Sequence, residues 1–130
     1  MKLLIDTHVL IWLARAPDRL TVAEAALFEE SETRVLVSAV SIWELRLKWG
    51  PSGAARRSEL LDPAAALAFV EKAGFELKPL TPTDCATSLV APIAHRDPFD
   101  EQLLIHAQVL GARLLTRDRL LTGHPLALSA

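Results

Sequence analysis

Apolar residues in this chain fall into short unbroken runs separated by longer stretches with helical spacing. Lys2-Leu-Leu-Ile-Asp6, Arg34-Val-Leu-Val37 and Arg113-Leu-Leu-Thr116 are continuous rather than alternating. Runs this short, with no polar face, predict strands covered on both sides, as in a parallel sheet. Helices are predicted over 7–13, 21–30, 38–49 and 63–73. Their punctuation is legible: Thr21 with Glu24 three residues on reads as a capping box, and Gly74 stands where a helix C-terminus favours glycine. Thr81-Pro-Thr-Asp84 opens a further helix, and Asp97-Pro-Phe-Asp100 opens a last long one that runs to about Leu110 and ends at Gly111. Residues 75–78 form another strand, 125–128 a short final one, and 50–62 a loop stopped by Gly50-Pro-Ser-Gly53. Strands alternating with helices predict an α/β fold, a three-layer α/β/α sandwich around a mainly parallel sheet.

Composition narrows this picture without redirecting it. A length of 130 residues and a hydrophobic fraction of 51% fit one globular domain, 1–130. No run approaches the ~20 apolar residues of a membrane span, and Asp6 breaks the apolar start too early for a signal peptide. Cys85 is the single cysteine, so no internal disulfide forms. It is expected to be a small packing residue, and the protein to be cytoplasmic. The net charge of −2 excludes a domain that coats nucleic acid by bulk electrostatics.

The chemistry lies in acids that stand where elements begin or end. Asp6 closes the first strand, and either caps the next helix or faces a cleft. Glu44 either completes a box with Ser41 or, if the helix starts at Ser38, sits inside it and is free to face the same cleft. Asp97 and Asp100 open the last helix, where acids also favour the helix dipole. Asp118 follows the strand at 113–116, where it also suits a turn. Each has a structural explanation, yet all four positions fall at strand ends or helix starts. In an open parallel sheet ligands bind outside the carboxyl ends of the strands. Carboxylates gathered there repel one another unless a cation lies between them, and a hard divalent metal is the simplest occupant. The histidines and Cys85 supply no zinc set, and no phosphate-loop, dinucleotide or acyl-transfer serine motif is present.

Four blocks then carry a resemblance: Leu3-Leu-Ile-Asp-Thr-His-Val-Leu-Ile-Trp12, Ser38-Ala-Val-Ser-Ile-Trp-Glu44, His95-Arg-Asp-Pro-Phe-Asp100 and Leu114-Leu-Thr-Arg-Asp118. In order and over nearly the whole chain they resemble the PIN-domain proteins, and more narrowly the VapC-like toxins of type II toxin–antitoxin systems. The resemblance implies a Mg2+- or Mn2+-dependent endoribonuclease that cuts single-stranded RNA, leaving 5′-phosphate and 3′-hydroxyl ends. It implies that Asp6, Glu44, Asp100 and Asp118 are the catalytic and metal-holding acids, with Asp97 either a further acid or only the helix cap. Thr7 and Thr116 match hydroxyl positions that orient carboxylates or bound water. Arg117, Arg119 and Arg96 are candidates to hold RNA phosphates, with Arg56 and Arg57 offering the same from the loop. A cognate VapB-like antitoxin is the implied partner, with a homodimer that pairs again in the toxin–antitoxin complex. The apolar residues at 9–13 and 21–28 are candidates for that interface, or are core. The alternative is a non-catalytic PIN-like interaction module whose acids are helix caps. Phosphoaspartyl enzymes also place an acid after the first strand, but His8 and Arg117 stand where they need an acid and a lysine.

Overall fold

The computed structural model describes residues 1–51 and 53–130. Strand β1 (Lys2–Ile5) runs into helix α1 (Thr7–Arg15), a one-turn 3-10 helix (Pro17–Arg19) and α2 (Val22–Glu29). Then come β2 (Arg34–Ser38), α3 (Ala39–Trp49), the short α4 (Ala54–Arg57) and α5 (Pro63–Ala73). The chain continues through β3 (Glu76–Lys78), α6 (Pro82–Ala86), α7 (Pro98–Leu110), β4 (Arg113–Leu115) and β5 (Ala127–Leu128). The 3-10 turn was not expected. Nor was α4, which occupies part of the segment read as loop; residue 52 of that segment lies outside the described residues. The Thr21–Glu24 box forms in full, and Gly74 and Gly111 end α5 and α7 at φ of 74° and 65°. A side chain at either glycine would have to adopt the left-handed backbone region that β-carbons disfavour.

The sheet has the order β3-β2-β1-β4-β5, and every pairing is parallel. The chain therefore works outward from the centre to β3, then crosses back to lay β4 against the free side of β1. The topology reverses between β1 and β4, and outside the carboxyl ends of strands at such a switch point these sheets open a crevice.

The period of two along each strand divides the core between two faces. Leu3, Ile5, Val35, Val37 and Leu115 pack on one side with Val9, Leu10, Ile11, Ala66 and Val70 from α1 and α5. Leu4, Leu36 and Leu114 pack on the other with Leu103, Leu104 and Ala107 from α7. Helical layers on both faces make the three-layer sandwich. Val9, Leu10 and Ile11 are thus core rather than interface, and Leu27 and Phe28 pack against the same cluster. Of the residues 21–28 read as interface candidates, Val22 is 90% exposed, and Ala23 and Ala26 are exposed as well. Cys85 corrects an expectation: it lies exposed on α6, because Asp84 and not its neighbour turns inward. Among the described residues no helix is long and apolar enough to cross a membrane.

One buried polar node holds the two helices that carry site acids. Ser38, the N-cap of α3, accepts the Val40 amide at 3.0 Å, and its hydroxyl lies 2.7 Å from Nδ1 of His106 on α7. Asp84 stands 4.0 Å from the other ring nitrogen, Nε2. Burial pushes the His106 pKa below its ordinary 6.5, with Asp84 opposing. Folding therefore favours the neutral ring. The stability this contributes is complete above pH 6.5 and is lost as pH falls through the depressed folded value. Thermal midpoints of the parent should fall below those of His106→Gln progressively from pH 7 to pH 5, relative to their difference at pH 8. Parallel pH profiles would show that His106 does not couple protonation to folding.

Candidate functional site

The site grows from the end of β1. Asp6 directly follows the strand; its amide donates to the Leu115 carbonyl at 3.2 Å, extending the β1–β4 pairing by one residue. Its Oδ1 accepts the Val9 amide at 2.8 Å, capping α1. Capping and cleft readings therefore coincide in one residue, because one carboxylate oxygen suffices for the cap. Only 8% of Asp6 is exposed. Burial raises its pKa above the ordinary 3.8; a Thr116 hydrogen bond, the Val9 amide and His8 pull it back, and the charge of Glu44 raises it further.

Thr116, fully buried just past β4, also accepts the amide of Asp118 at 3.1 Å. A single hydroxyl so ties the β1-end acid to the loop that carries the β4-end acid. Asp118 is itself a turn residue: its Oδ1 accepts the Leu120 amide at 2.9 Å and its carbonyl accepts Leu121 and Thr122. It nonetheless lines the same cavity as Asp6, a space of about 220 Å3 completed by His8, Trp12 and Arg117.

Glu44 lies inside α3, which starts at Ser38 and not at Ser41, so the local capping box does not form. The Thr7 hydroxyl donates to Glu44 Oε1 at 2.6 Å and lies 3.1 Å from Ser41 Oγ. Lys48, one turn on, reaches Oε2 at 2.6 Å. Glu44 is buried and within electrostatic reach of Asp6.

On α7, Asp97 acts as the cap, with Oδ1 accepting the amides of Phe99 at 2.9 Å and Asp100 at 3.2 Å. Asp100 faces His95, whose Nε2 is 3.0 Å from its Oδ2. Burial, then Asp97 and Asp118, push the Asp100 pKa up to about 6 against the lowering effect of His95. Charge thus links all four acids, Glu44 to Asp6 and Asp100 to Asp118, with Asp6 and Asp118 in one cavity. Among the described residues, however, no three His, Cys, Asp or Glu side chains converge as a ready-made cage. The expected ligand set is gathered into one neighbourhood without being closed on one point.

The arginines expected at phosphates divide. Arg119 and Arg96 are exposed, Arg96 beside Asp97, Pro98 and Glu101. Arg117 has a different role: Nε bonds Glu24 at 2.8 Å, Nη2 bonds the Glu24 carboxylate and the Arg19 carbonyl, and the guanidinium stacks on Trp12 at 4.3 Å. Glu24 is 1% exposed, and the pairing holds its pKa below the ordinary 4.5. That charge is paired with a buried counter-ion, while the residue itself still lines the cavity beside Asp6 and Asp118. Arg57 is similarly engaged, its guanidinium 4.6 Å over Trp49 and Nη2 on the Trp49 carbonyl. Sequence reasoning missed His8, Trp12 and His95 as site residues, and the ion-pair roles of Lys48 and Glu24. The pairing of Lys48 was findable, since Glu44 and Lys48 have i,i+4 spacing; that of Glu24 was not, since its partner is 93 residues away.

The PIN domain family profile matches residues 3–122. Ribonuclease VapC22 of Mycobacterium tuberculosis (strain ATCC 25618 / H37Rv) is 30% identical over 124 residues, covering 93% of this chain and 90% of that protein. Among solved structures, VapBC2 from Rickettsia felis bound to a promoter DNA fragment has a TM-score of 0.64 at 13% identity, covering 98% of this chain and 96% of the other. VapBC-1 from nontypeable Haemophilus influenzae gives 0.57 at 18% identity, over 91% and 87%. At these identities the structures speak to the fold alone. Profile and relative both span nearly the whole chain, and the protein belongs to the PIN domain family.

Proposed function

We propose that this chain is a metal-dependent endoribonuclease that cuts single-stranded RNA and serves as the toxin of a toxin–antitoxin pair, silenced by a VapB-like antitoxin. The observation that carries this reading is the sharing of one cavity by Asp6 and Asp118 at the sheet's switch point, with Glu44 and Asp100 in electrostatic reach. Similarity over 93% of the chain to a protein named as a ribonuclease supports the reaction class.

The donor set fits a small hard cation. It is all carboxylate and hydroxyl oxygen, and Asp6 and Asp100 carry raised pKa values that a nearby cation would relieve. Mg2+ needs no complete protein cage; it keeps waters and takes one or two carboxylates along with substrate phosphate. The open arrangement therefore suits Mg2+ or Mn2+, held by Asp6 and Asp100 with Glu44 and Asp118 completing the set. Bound there, such an ion would neutralise charge on the scissile phosphate and acidify an attacking water. The protein's own contribution is orientation. Thr116 and the Val9 amide fix the Asp6 carboxylate, Thr7 and Lys48 fix Glu44, and His95 fixes Asp100.

One observation favours a second reading, a PIN-like interaction module without catalysis: no three candidate ligands converge among the described residues, and Lys48 already pairs with Glu44. The readings part on a single experiment. Purified protein is incubated with mixed transfer and ribosomal RNA in Mg2+, in Mn2+ and in EDTA. Cleavage that needs the metal and leaves 5′-phosphate ends is expected. Intact RNA under all three conditions, with no heat of Mn2+ binding, selects the interaction module.

A further inference from the structure

Trp12 lines two cavities. The first is the acid cavity with Asp6 and Asp118. The second, of about 170 Å3, is lined by Trp12 together with Arg15, Arg19, Ser58 and Glu59. Arg117 stacks on the indole and donates to the Arg19 carbonyl, so one guanidinium braces the shared wall and the segment that carries Arg19. Arg15 is held at its own wall, Nη1 donating to the carbonyls of Leu60 at 2.8 Å and Arg57 at 3.2 Å. The Arg19 guanidinium has no hydrogen bond or ion pair among the described residues, and no ion pair joins Glu59 to either arginine.

We propose that this second cavity binds a backbone phosphate of the single-stranded RNA, close along the strand to the phosphate that is cut. The inference rests on the nuclease reading above and adds to it where the strand leaves the acid site. Two guanidiniums against one carboxylate leave the cavity net positive. Planar forks of donors match a phosphate's oxygens better than point charges do. Arg15 is already ordered by the two carbonyls, so binding there loses little side-chain entropy. The acid cavity is itself repulsive to a polyanion, and a strand held over it needs a positive anchor beside it. With Arg117 committed to Glu24, the wall of Trp12 places that anchor at Arg15 and Arg19. The same pair of forks would also accept carboxylates of a protein partner, which the test separates.

The probe is a short mixed-sequence single-stranded RNA oligonucleotide. Binding is followed by fluorescence anisotropy over a salt series, in the Asp6→Asn background to prevent cutting. The test variant is Arg19→Ala; Arg19 is exposed and its carbonyl, kept by any substitution, still serves Arg117. Arg19→Ala is expected to weaken binding about five- to tenfold and to reduce the slope of log K against log salt by about 0.7, one phosphate contact on a single strand. Arg19→Lys should restore the slope while recovering only part of the affinity. With Asp6 intact, Arg19→Ala should raise KM and leave kcat near the parent value, the pattern of lost uniform binding. If the parent cuts RNA but Arg19→Ala changes neither affinity nor slope, the subsite is overturned and the nuclease reading stands. If a glutamate-rich peptide instead binds and is lost in Arg19→Ala, the cavity belongs to a protein partner. If the parent neither binds nor cuts RNA in Mg2+ or Mn2+, the nuclease reading falls and the subsite with it.

Discussion

Asp6→Asn is expected to abolish RNA cleavage while leaving the protein as stable as the parent, or more so. Activity should drop well beyond 100-fold, the upper loss that an outer-shell partner of a metal ligand brings on its own. The fold should not suffer, for two reasons. Asparagine caps a helix as well as aspartate, so the bond from the Val9 amide survives. Burial also raises the Asp6 pKa, which means that folding disfavours the charged carboxylate. The sign follows from linkage: a carboxyl with a raised folded pKa destabilises above that value, and the cost disappears as pH falls through it. A neutral amide removes the cost outright. Thermal unfolding at pH 7.5 should therefore show a midpoint equal to or above the parent's, alongside an inactive protein. A variant that still cuts RNA at the parental rate would remove Asp6 from the chemistry; one that is inactive because it unfolds would return Asp6 to the role of a helix cap.

The second large effect concerns stability. Glu24 is buried, pairs with Arg117, and closes the capping box of α2 through the Thr21 amide at 2.8 Å. Truncating one member of a buried pair typically costs about 3–5 kcal/mol. Arg117 keeps 38% of its side chain exposed, so solvent screens it and the lower end applies. Glu24→Ala should cost about 3 kcal/mol and lower the thermal midpoint by roughly 10 °C for a domain this size. Arg117→Ala should be comparably destabilising, since it strands Glu24 and bares Trp12. The double variant should then lose much less than the sum of the two, a coupling of at least about 1 kcal/mol. Additive losses would show that the two side chains do not act as a pair, and an Arg117→Ala protein of parental stability that no longer binds RNA would make Arg117 a phosphate contact. The pair also reaches the site, because Asp118 follows Arg117 directly and its loop is anchored through that guanidinium.

Much of this was legible in one dimension because the responsible physics is local. Short apolar runs that stand apart from helical spacing predict strands covered on both faces, and β1, β2 and β4 appear where such runs are. Caps are equally local. Thr21, Asp97, Gly74 and Gly111 satisfy or release backbone groups within a few residues, and each ends or begins its helix as its chemistry requires. Where expectation and structure part, two local rules compete. Ser41 with Glu44 satisfies the spacing of a capping box as well as Ser38 satisfies a simple cap; in the fold Ser38 caps the helix while touching His106, and Val40 and Leu45 are buried behind it. Cys85 was read from the burial habit of its residue type, which the short α6 overrules by turning Asp84 toward His106.

The order of residues alone carried most strands and helices (though not the 3-10 turn or α4), the acids that stand at their ends, and the four ordered blocks that match one family. Those properties depend on neighbours within a turn or a strand repeat, and neighbours of that kind are written along the chain. Which acids share a space depends on the assembled fold. Asp6 and Asp118 meet because the chain returns to lay β4 against β1, and that crossover depends on the packing of both faces at once. The same holds for the arginines. Every one of them reads alike in sequence as a cation available for phosphate. Folding brings the buried carboxylate of Glu24 to Arg117 across 93 residues and leaves Arg19 without one. A charge's role is set by what surrounds it in low dielectric, and that surrounding is assembled only when distant segments meet.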